Sequence, residues 1–243
     1  MILPDPKDAL HKAMLYRLLI ALLDSKDVAP YVRFKGGTCA AMLGWLDRFS
    51  IDLDFDLAPT SDKELLRTPL KRIFDTSGFT IAQEAKTELY FILTYQASPG
   101  ERSTLKLSII DIPVKTNVYR PQYFSDIGRY ADCQTIETMF ANKLVAVTDR
   151  FPKYHTIAGR DIYDIHHFFI QGYGFNQKVI SERTGKPPKV YLRQLISFIK
   201  QKVTEKIINE DLSYLLTPTQ FQSVRHTLKT EVLIFLRDAC AGI

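Results

Sequence analysis

Phe34-Lys35-Gly36-Gly37-Thr38 and Ser50-Ile51-Asp52-Leu53-Asp54-Phe55-Asp56-Leu57 are the two segments of the chain from which its architecture follows. The aromatic and β-branched run 31–34 predicts a short strand, and Gly36-Gly37 permits a sharp turn whose backbone N–H groups can face an anion. Thr38 is expected to cap a helix over 39–45, and such a helix start suits a triphosphate. The first segment therefore predicts a strand, a phosphate-binding turn and a helix.

The second segment alternates polar and apolar residues with a period of two, which is typical of a strand with two unlike faces. Asp52, Asp54 and Asp56 are therefore expected to point the same way. Three carboxylates on one strand face repel one another, and aspartate is a poor strand former, so the pattern requires a compensating partner. Mg²⁺, held by one or two carboxylates and by substrate phosphates, is one such partner. A solvated acidic face on an edge strand is the alternative.

The chain has 243 residues, a length sufficient for one large domain or two small ones. Of these residues, 46% are hydrophobic and 24% are charged. Its net charge of +5 is compatible with RNA or a nucleotide as partner but does not select one. Cys39, Cys133 and Cys240 are odd in number and far apart, which favours a reducing compartment over a disulfide framework. Without a signal peptide or a membrane-spanning run, a cytoplasmic protein with no membrane partner is expected.

Periodicity divides the chain into two parts. Around the two segments above, it predicts helices over 8–23 and 61–74, the second with Ser61 and Glu64 as a capping box, and strands over 79–84, 89–95 and 104–110. Nearly everything from residue 136 onward is predicted to be helical, over 136–149, 160–171, 177–183, 190–203 and 221–239. The pattern indicates an α+β protein, with a mixed sheet and flanking helices followed by a helical half.

A second group of charged residues lies in the helical part. Asp161 and Asp164 are three residues apart and therefore share one helix face, where they can also complement the helix dipole in a purely structural role. Lys143 suits a nucleotide phosphate as a mobile point charge, and Arg160 can clamp a phosphate or carboxylate with two hydrogen bonds. Both can equally be surface cations.

Together these motifs resemble those of the AbiEii nucleotidyltransferase toxin family, a branch of the polymerase β-like nucleotidyltransferase superfamily. The resemblance covers about residues 30–170 and is carried by Lys35-Gly36-Gly37-Thr38, residues 48–55, Lys106-Leu107-Ser108, Lys143-Leu144 with Arg150, and residues 160–165. It implies a polymerase β-like core in residues 1–130, a mixed sheet with flanking helices. A helical domain in residues 131–243 would complete the active-site cleft.

The resemblance also implies an activity and a biological role. The activity is Mg²⁺-dependent or Mn²⁺-dependent transfer of a nucleotidyl group from a nucleoside triphosphate to an acceptor hydroxyl, with RNA, and tRNA in particular, as the expected acceptor. The role is that of a toxin in a type IV toxin–antitoxin or phage-defence system, where it stalls growth and is held in check by a cognate antitoxin.

Carried over position by position, the resemblance assigns a role to each motif residue. Asp52, Asp54, Lys143 and Asp161 would be catalytic, and Asp52 and Asp54 would bind the metal. Nucleotide binding would fall to Lys35, Gly36, Gly37, Thr38, Arg48, Ser50, Lys106, Arg160 and Asp164.

Ser108 departs from the family pattern, which usually has a carboxylate two residues after the lysine at position 106. In polymerase β-like enzymes that carboxylate helps to activate the attacking hydroxyl, and general-base help is typically worth about 10²–10⁴ in rate. A bulge before Pro113 would let Asp111 replace it, or Asp56 would do so from the neighbouring strand.

The sequence thus predicts in-line attack of an acceptor hydroxyl on the α-phosphorus of a nucleoside triphosphate. One alternative is a non-catalytic nucleotide or RNA sensor that has lost the third carboxylate. A metal-dependent phosphohydrolase would use the same acidic strand but normally recruits histidines, and none accompanies Asp52 and Asp54 in the sequence. A further alternative is a structural interaction protein, in which the Gly-Gly-Thr turn and the acidic strand would occur together by chance.

Overall fold

The protein is described by a computed structural model that covers residues 1–59, 62–111 and 114–243, with the backbone alone at positions 153 and 154. The strands in these ranges are β1 (Val32–Lys35), β2 (Asp52–Leu57), β3 (Thr80–Glu84), β4 (Leu89–Thr94), β5 (Thr104–Ile110), β6 (Tyr119–Phe124) and β7 (Arg129–Gln134). The α-helices are α1 (Ala9–Asp24), α2 (Gly36–Met42), α3 (Lys63–Thr76), α4 (Ile136–Asp149), α5 (Phe151–Tyr154), α6 (Gly159–Ile170), α7 (Gln177–Thr184), α8 (Pro188–Lys202), α9 (Glu205–Leu212), α10 (Pro218–Val224) and α11 (Leu228–Ala241).

The chain packs as two compact units. The sheet unit consists of Met1–Pro113 and Tyr119–Gln134, and the helical unit consists of Val114–Val118 and Thr135–Ile243. A sheet with its own helices, followed by a region built from helices, confirms the predicted α+β class. None of the helices in the described part of the chain is long and apolar enough to cross a membrane.

The described strands of the sheet unit form one mixed sheet in the order β3-β4-β5-β2-β1-β7-β6. The acidic strand β2 lies near its centre, antiparallel to β1 and parallel to β5. Strand β1 in turn runs parallel to β7, which forms an antiparallel hairpin with β6. Because β2 is flanked on both sides, its backbone is paired and only its side chains remain to contact a ligand.

One face of this sheet is a hydrophobic core rich in phenylalanine. Phe34 of β1 stacks on Phe55 of β2 with ring centroids 5.0 Å apart and contacts Phe124 of β6 at 5.6 Å. Helix α1 is amphipathic and buries Leu15, Leu18, Leu19 and Leu22, while α3 places Phe74 at 5.1 Å from Phe91 of β4. Each such side chain contributes about 1.5–3 kcal/mol when fully buried, so this face fixes the sheet.

The helical unit has its own core around α4 and α6. Phe140 of α4 contacts Phe168 and Phe169 of α6 at centroid distances of 5.2 Å and 4.8 Å. Gly159, at the start of α6, lies so close to α9 that a Cβ there would stand 2.5 Å from the carbonyl oxygen of Ile207. These contacts hold the helix that carries Asp161 and Asp164.

Most predicted elements are present, with ends shifted by one or two residues. The strand over 104–110 and the helix over 136–149 have their predicted bounds. Ser61, predicted as a helix cap, lies outside the described residues, and the side chain of Asp62 accepts the hydrogen bond from the backbone N–H of Glu64 instead.

Several elements differ from the prediction. Strands β6 and β7 were not predicted, because Tyr-Arg-Pro-Gln and Arg-Tyr-Ala-Asp lack a clear strand pattern and depend on each other for pairing. The single helix predicted over 221–239 is wrong, since α10 ends at Val224 and α11 begins at Leu228. The short helix α9 was missed as well.

Candidate active site

The acidic strand β2 presents its three carboxylates on one face of the sheet. Leu53 and Phe55, which alternate with them, are buried in the core on the opposite face. In the parallel pairing with β5, Asp52 lies beside Lys106 and Asp54 lies beside Ser108. The pairing with β1 places Lys35 beside Asp54 and Arg33 beside Asp56. The strand order therefore surrounds the carboxylates with basic residues from both neighbours.

The three carboxylates differ in how fully they are compensated. Asp52 forms an ion pair with Lys106 at 2.5 Å. Asp56 is buried and accepts hydrogen bonds from Lys35, from the hydroxyl of Tyr119 at 2.8 Å and from Nε2 of Gln134 at 2.6 Å. Within the described residues, the side chain of Asp54 makes no hydrogen bond and no ion pair. Asp56 is thus a structural anchor, whereas Asp54 is the carboxylate that remains available.

Neighbouring side chains approach Gly36 and Gly37 so closely that neither position has space for a Cβ atom. A Cβ on Gly36, whose φ is +80°, would lie 2.9 Å from Oδ2 of Asp54. A Cβ on Gly37 would lie 2.7 Å from Nη2 of Arg48 and 2.9 Å from Oγ of Ser50. Real Cβ atoms do not approach so closely, so the two glycines let the start of α2 pack against Asp54, Arg48 and Ser50.

The prediction that Thr38 caps α2 is wrong. The helix begins at Gly36, Lys35 occupies the cap position, and no side chain caps the first turn. Thr38 is buried, and its hydroxyl donates a 2.5 Å hydrogen bond to the backbone carbonyl of Asp52. Thr38 therefore ties α2 to β2 through its side chain, which leaves its backbone N–H in the first turn of the helix.

Arg48 and Ser50 lie under the same turn. Arg48 is only 2% exposed, and its Nη1 donates to the backbone carbonyl of Phe49 at 2.8 Å. Ser50 is 7% exposed. Both were predicted to bind nucleotide. The structure places them directly behind Gly37, where burial limits their movement.

Ser108 stands where the family pattern has a carboxylate, next to Asp54 on β5. Neither suggested replacement occupies that position. Asp111 forms a 2.5 Å ion pair with Lys63 of α3, and this hydrogen bond lowers the pKa of the Asp111 carboxyl. Asp56 accepts hydrogen bonds from Lys35, Tyr119 and Gln134. The bulge suggested before Pro113 falls on residues outside the described part of the chain.

The helical unit gathers Lys143, Arg150, Asp161 and Asp164 into one buried charge cluster. Nζ of Lys143 lies 2.8 Å from a carboxylate oxygen of Asp161 and 2.8 Å from one of Asp164. Nη1 of Arg150 lies 3.0 Å from the other oxygen of Asp161. Burial favours the neutral acid, but Lys143 and Arg150 outweigh it and hold the pKa of Asp161 below its usual value. The cluster is therefore charged, and it is compatible with the structural reading of the two aspartates.

Arg160 lies one residue before this cluster and is partly buried. Its backbone N–H donates to a carboxylate oxygen of Asp211 at 3.4 Å. Its proposed role in nucleotide binding stays a prediction, as do the catalytic roles of Lys143 and Asp161 and the binding role of Asp164.

Tyr119 and Gln134 are the functional-site neighbours that sequence reasoning missed. Both bind Asp56, and both lie on the strands that were not predicted. No local signal marks them, because their relation to Asp56 arises only from the order β2-β1-β7-β6 in the sheet.

The side chains around Asp54 fit a hard divalent cation. Mg²⁺ is commonly held by one or two carboxylates, with water and substrate phosphates completing its octahedral shell. In the described part of the chain the Asp54 carboxylate has no partner, and Asp52 lies two residues away on the same face, paired with Lys106. No group of three or more His, Cys, Asp or Glu side chains in the described ranges has metal-binding geometry. Any cation here would take the remaining ligands from substrate and solvent.

Comparisons with known proteins give the chain a fold family. It is similar to the crystal structure of JHP933 from Helicobacter pylori, with a TM-score of 0.64 and 20% identity over 98% of this chain and 94% of that chain. It is also similar to MenT4, a nucleotidyltransferase toxin from Mycobacterium tuberculosis, with a TM-score of 0.54 and 17% identity over 96% of this chain and 84% of that chain. No curated protein matches the sequence.

A family model described as "Nucleotidyl transferase AbiEii toxin, Type IV TA system" matches residues 17–226. This span includes the acidic strand, the glycine turn and the buried charge cluster. The chain therefore belongs to the AbiEii nucleotidyltransferase toxin family of type IV toxin–antitoxin systems.

Proposed function

We propose that the protein is a cytoplasmic, Mg²⁺-dependent enzyme that transfers a nucleotidyl group from a nucleoside triphosphate to a hydroxyl of RNA, with tRNA as the first candidate. Its toxicity, in phage defence or growth control, would follow from this modification and would be restrained by a cognate antitoxin. One observation supports the proposal above the others. Among the described residues, the carboxylate of Asp54 has no partner, and it lies beside Asp52 and against the start of α2.

Each residue near Asp54 has a task in this proposal. Asp52 and Asp54 would hold Mg²⁺, which when bound neutralises phosphate charge and polarises the α-phosphoryl group. The first-turn N–H groups of Gly36, Gly37 and Thr38 would face the phosphates. Lys35 and Lys106, on the two flanking strands, would complement phosphate charge, and Lys106 would release Asp52 on substrate binding. Buried Arg48 and Ser50 would keep the glycine turn in place.

Ser108 is the observation that favours a second candidate function. Without a carboxylate beside Asp54, no general base on β5 is available to the attacking hydroxyl. The protein would then bind a nucleotide or RNA without catalysing transfer of a nucleotidyl group. This candidate predicts measurable triphosphate affinity and no release of pyrophosphate. Under the first candidate, positioning and the metal suffice, and transfer is slow but measurable.

The decisive experiment incubates the purified chain with each α-labelled nucleoside triphosphate, Mg²⁺ and total RNA. A labelled RNA band is expected for at least one triphosphate. Asp54→Asn should reduce the label by at least about 10²-fold, because an amide binds Mg²⁺ far more weakly than a carboxylate. Asp238→Asn, an exposed change on α11, is the matched control and should keep full activity.

The outcomes separate the candidates. Equal labelling by wild type and Asp54→Asn would overturn the assignment of the site. Triphosphate binding without any labelled product or pyrophosphate would favour the non-catalytic candidate. Circular dichroism and urea unfolding of Asp54→Asn check that the fold is retained.

A further inference from the structure

Two tyrosines stand exposed and side by side at one edge of the sheet. Tyr123 of β6 and Tyr130 of β7 are directly opposite each other in the hairpin. Their ring centroids lie 5.0 Å apart with an interplanar angle of 47°, and the residues are 53% and 70% exposed. Paired aromatic rings usually bury much of their apolar surface, so this pair is a candidate binding surface.

The pair lies on the same face of the sheet as the carboxylates. Along the regular strand β6, Tyr119 and Tyr123 are four residues apart and therefore point to the same side. The hydroxyl of Tyr119 donates to Asp56 at 2.8 Å, which identifies that side as the carboxylate face. Phe124, the next residue after Tyr123, points the other way and packs against Phe34 in the core.

A third exposed tyrosine extends the surface. Strands β1 and β7 run parallel with Phe34 beside Cys133, and Tyr31 ends the short 3-10 helix Ala29–Tyr31 that leads into β1. Tyr31 immediately precedes β1 and is 42% exposed. Three neighbouring segments of the sheet unit thus each carry an exposed tyrosine.

The distance from this surface to Asp54 suits a short single strand of RNA. From β2 to β6 there are three strand spacings of about 4.8 Å, and the tyrosines lie about four residues of 3.3 Å along the strands, which gives roughly 20 Å in all. A nucleic acid whose reacting end lies at Asp54 would therefore place a base a few nucleotides away over the tyrosines.

The sequence of β6 argues against the main alternative, strand addition by a protein partner. Among the described strands β6 is at the edge of the sheet, where a partner's backbone would have to pair. Pro121 in the middle of β6 lacks an N–H donor, and exposed Arg120 precedes it, two features that discourage edge pairing. The rings remain accessible to bases, which need only a π-face to stack upon.

We propose that Tyr123 and Tyr130, extended by Tyr31, form a stacking platform for unpaired bases of the single-stranded part of an RNA acceptor. The proposal rests on the function proposed above, because it names how that acceptor is held. Sheets whose exposed aromatic side chains stack on bases are a recurrent mode of single-strand RNA recognition. The net charge of +5 favours the accompanying phosphates.

The test uses a short single-stranded RNA that carries the fluorescent base 2-aminopurine and a 5′ dye. Wild type is expected to bind it and to quench the 2-aminopurine by stacking. The double variant Tyr123→Ala/Tyr130→Ala should bind about 10-fold to 100-fold more weakly and lose the quenching, because each base–aromatic stack is worth about 1–3 kcal/mol. Tyr123→Phe/Tyr130→Phe keeps the rings and should retain both signals.

Tyr214→Ala is the matched control, since Tyr214 is an exposed tyrosine of the helical unit, and it should bind like wild type. Unchanged RNA affinity in the double alanine variant, or no binding of the RNA by wild type, would overturn the platform. Lost affinity for a purified antitoxin with unchanged RNA binding would overturn it too and would reassign the surface to a protein.

Failure of the platform and failure of the proposed function give different results. The double alanine variant should retain wild-type triphosphate affinity, because the tyrosines lie far from the glycine turn. If wild type transfers label to RNA and the alanine variant does so equally well at low RNA concentration, only the platform is wrong. If no protein transfers label while RNA binding still depends on the tyrosine rings, only the proposed function is wrong.

Discussion

Gly37 shows how a single residue combines sequence, packing and site. The sequence predicts that the glycine pair forms a phosphate-binding turn. In the structure, the missing side chain of Gly37 leaves the space that Arg48 and Ser50 occupy. Arg48 cannot move aside easily, because it is only 2% exposed and donates a hydrogen bond to the carbonyl of Phe49. The position therefore has a steric requirement that holds whether or not a phosphate binds.

Gly37→Ala is expected to destabilise the protein by about 1–3 kcal/mol, because the new Cβ would lie 2.7 Å from Nη2 of Arg48 and 2.9 Å from Oγ of Ser50, both of which are buried. Urea unfolding at equilibrium measures this loss. Gly174→Ala is the control, since a Cβ there would meet no atom within 4 Å, and its stability should stay within about 0.5 kcal/mol of wild type. Equal stability of the two variants would contradict the packing described around Arg48.

At the scale of elements, β2 and the pair α4 and α6 solve the same electrostatic problem in different ways. On β2 the carboxylates share one strand face. Neighbouring strands supply lysines to Asp52 and Asp56, while the structure as described gives the Asp54 carboxylate no partner. Between α4 and α6 the two aspartates are fully buried and both bind Lys143. A buried carboxylate must be paired, because an unpaired buried charge is costly. A partly exposed carboxylate is hydrated and can remain unpaired until a ligand binds.

Asp161→Asn should cost about 3–5 kcal/mol near neutral pH, because it leaves Lys143 and Arg150 with reduced compensation in a buried site. The pKa of Asp161 is lower in the folded protein than in the unfolded chain. Its contribution is therefore complete above the unfolded pKa of about 4 and is lost as the pH falls through the folded pKa.

Urea unfolding at a series of pH values checks this prediction. The difference in stability between wild type and Asp161→Asn should be large near neutral pH and should shrink in acid. Asp238→Asn, at an exposed position, should follow the wild-type curve throughout. A difference that does not change with pH would show that packing, and not the charge of Asp161, accounts for the loss.

At the scale of the whole molecule, family membership and the partly exposed Asp54 carboxylate lead to one biological expectation. Induced expression of the chain in a bacterial host without an antitoxin should slow growth. Asp54→Asn should relieve the arrest at equal protein level, because it removes the proposed metal site and leaves the core intact. Growth curves with immunoblots measure both quantities. Continued arrest by Asp54→Asn would assign toxicity to something other than nucleotidyl transfer.

The local part of the fold follows from residue order alone. The alternation in residues 50–57 determined that the aspartates share a face, and the helical period determined both ends of α4. Each AbiEii motif is a short continuous run of residues, so the family could also be identified from the sequence. Each of these depends on neighbours within a few positions, where backbone geometry fixes which side chains lie together.

Only the tertiary structure decided which carboxylate is available and which is anchored. Asp56 and Asp54 look alike in the sequence, yet Tyr119 and Gln134 reach Asp56 from strands far along the chain. The burial of Lys143 between two aspartates and the exposure of Tyr123 and Tyr130 were likewise invisible to local patterns. These properties arise from the lateral order of strands and the packing of helices, which bring together residues whose separation in sequence carries no periodic signal.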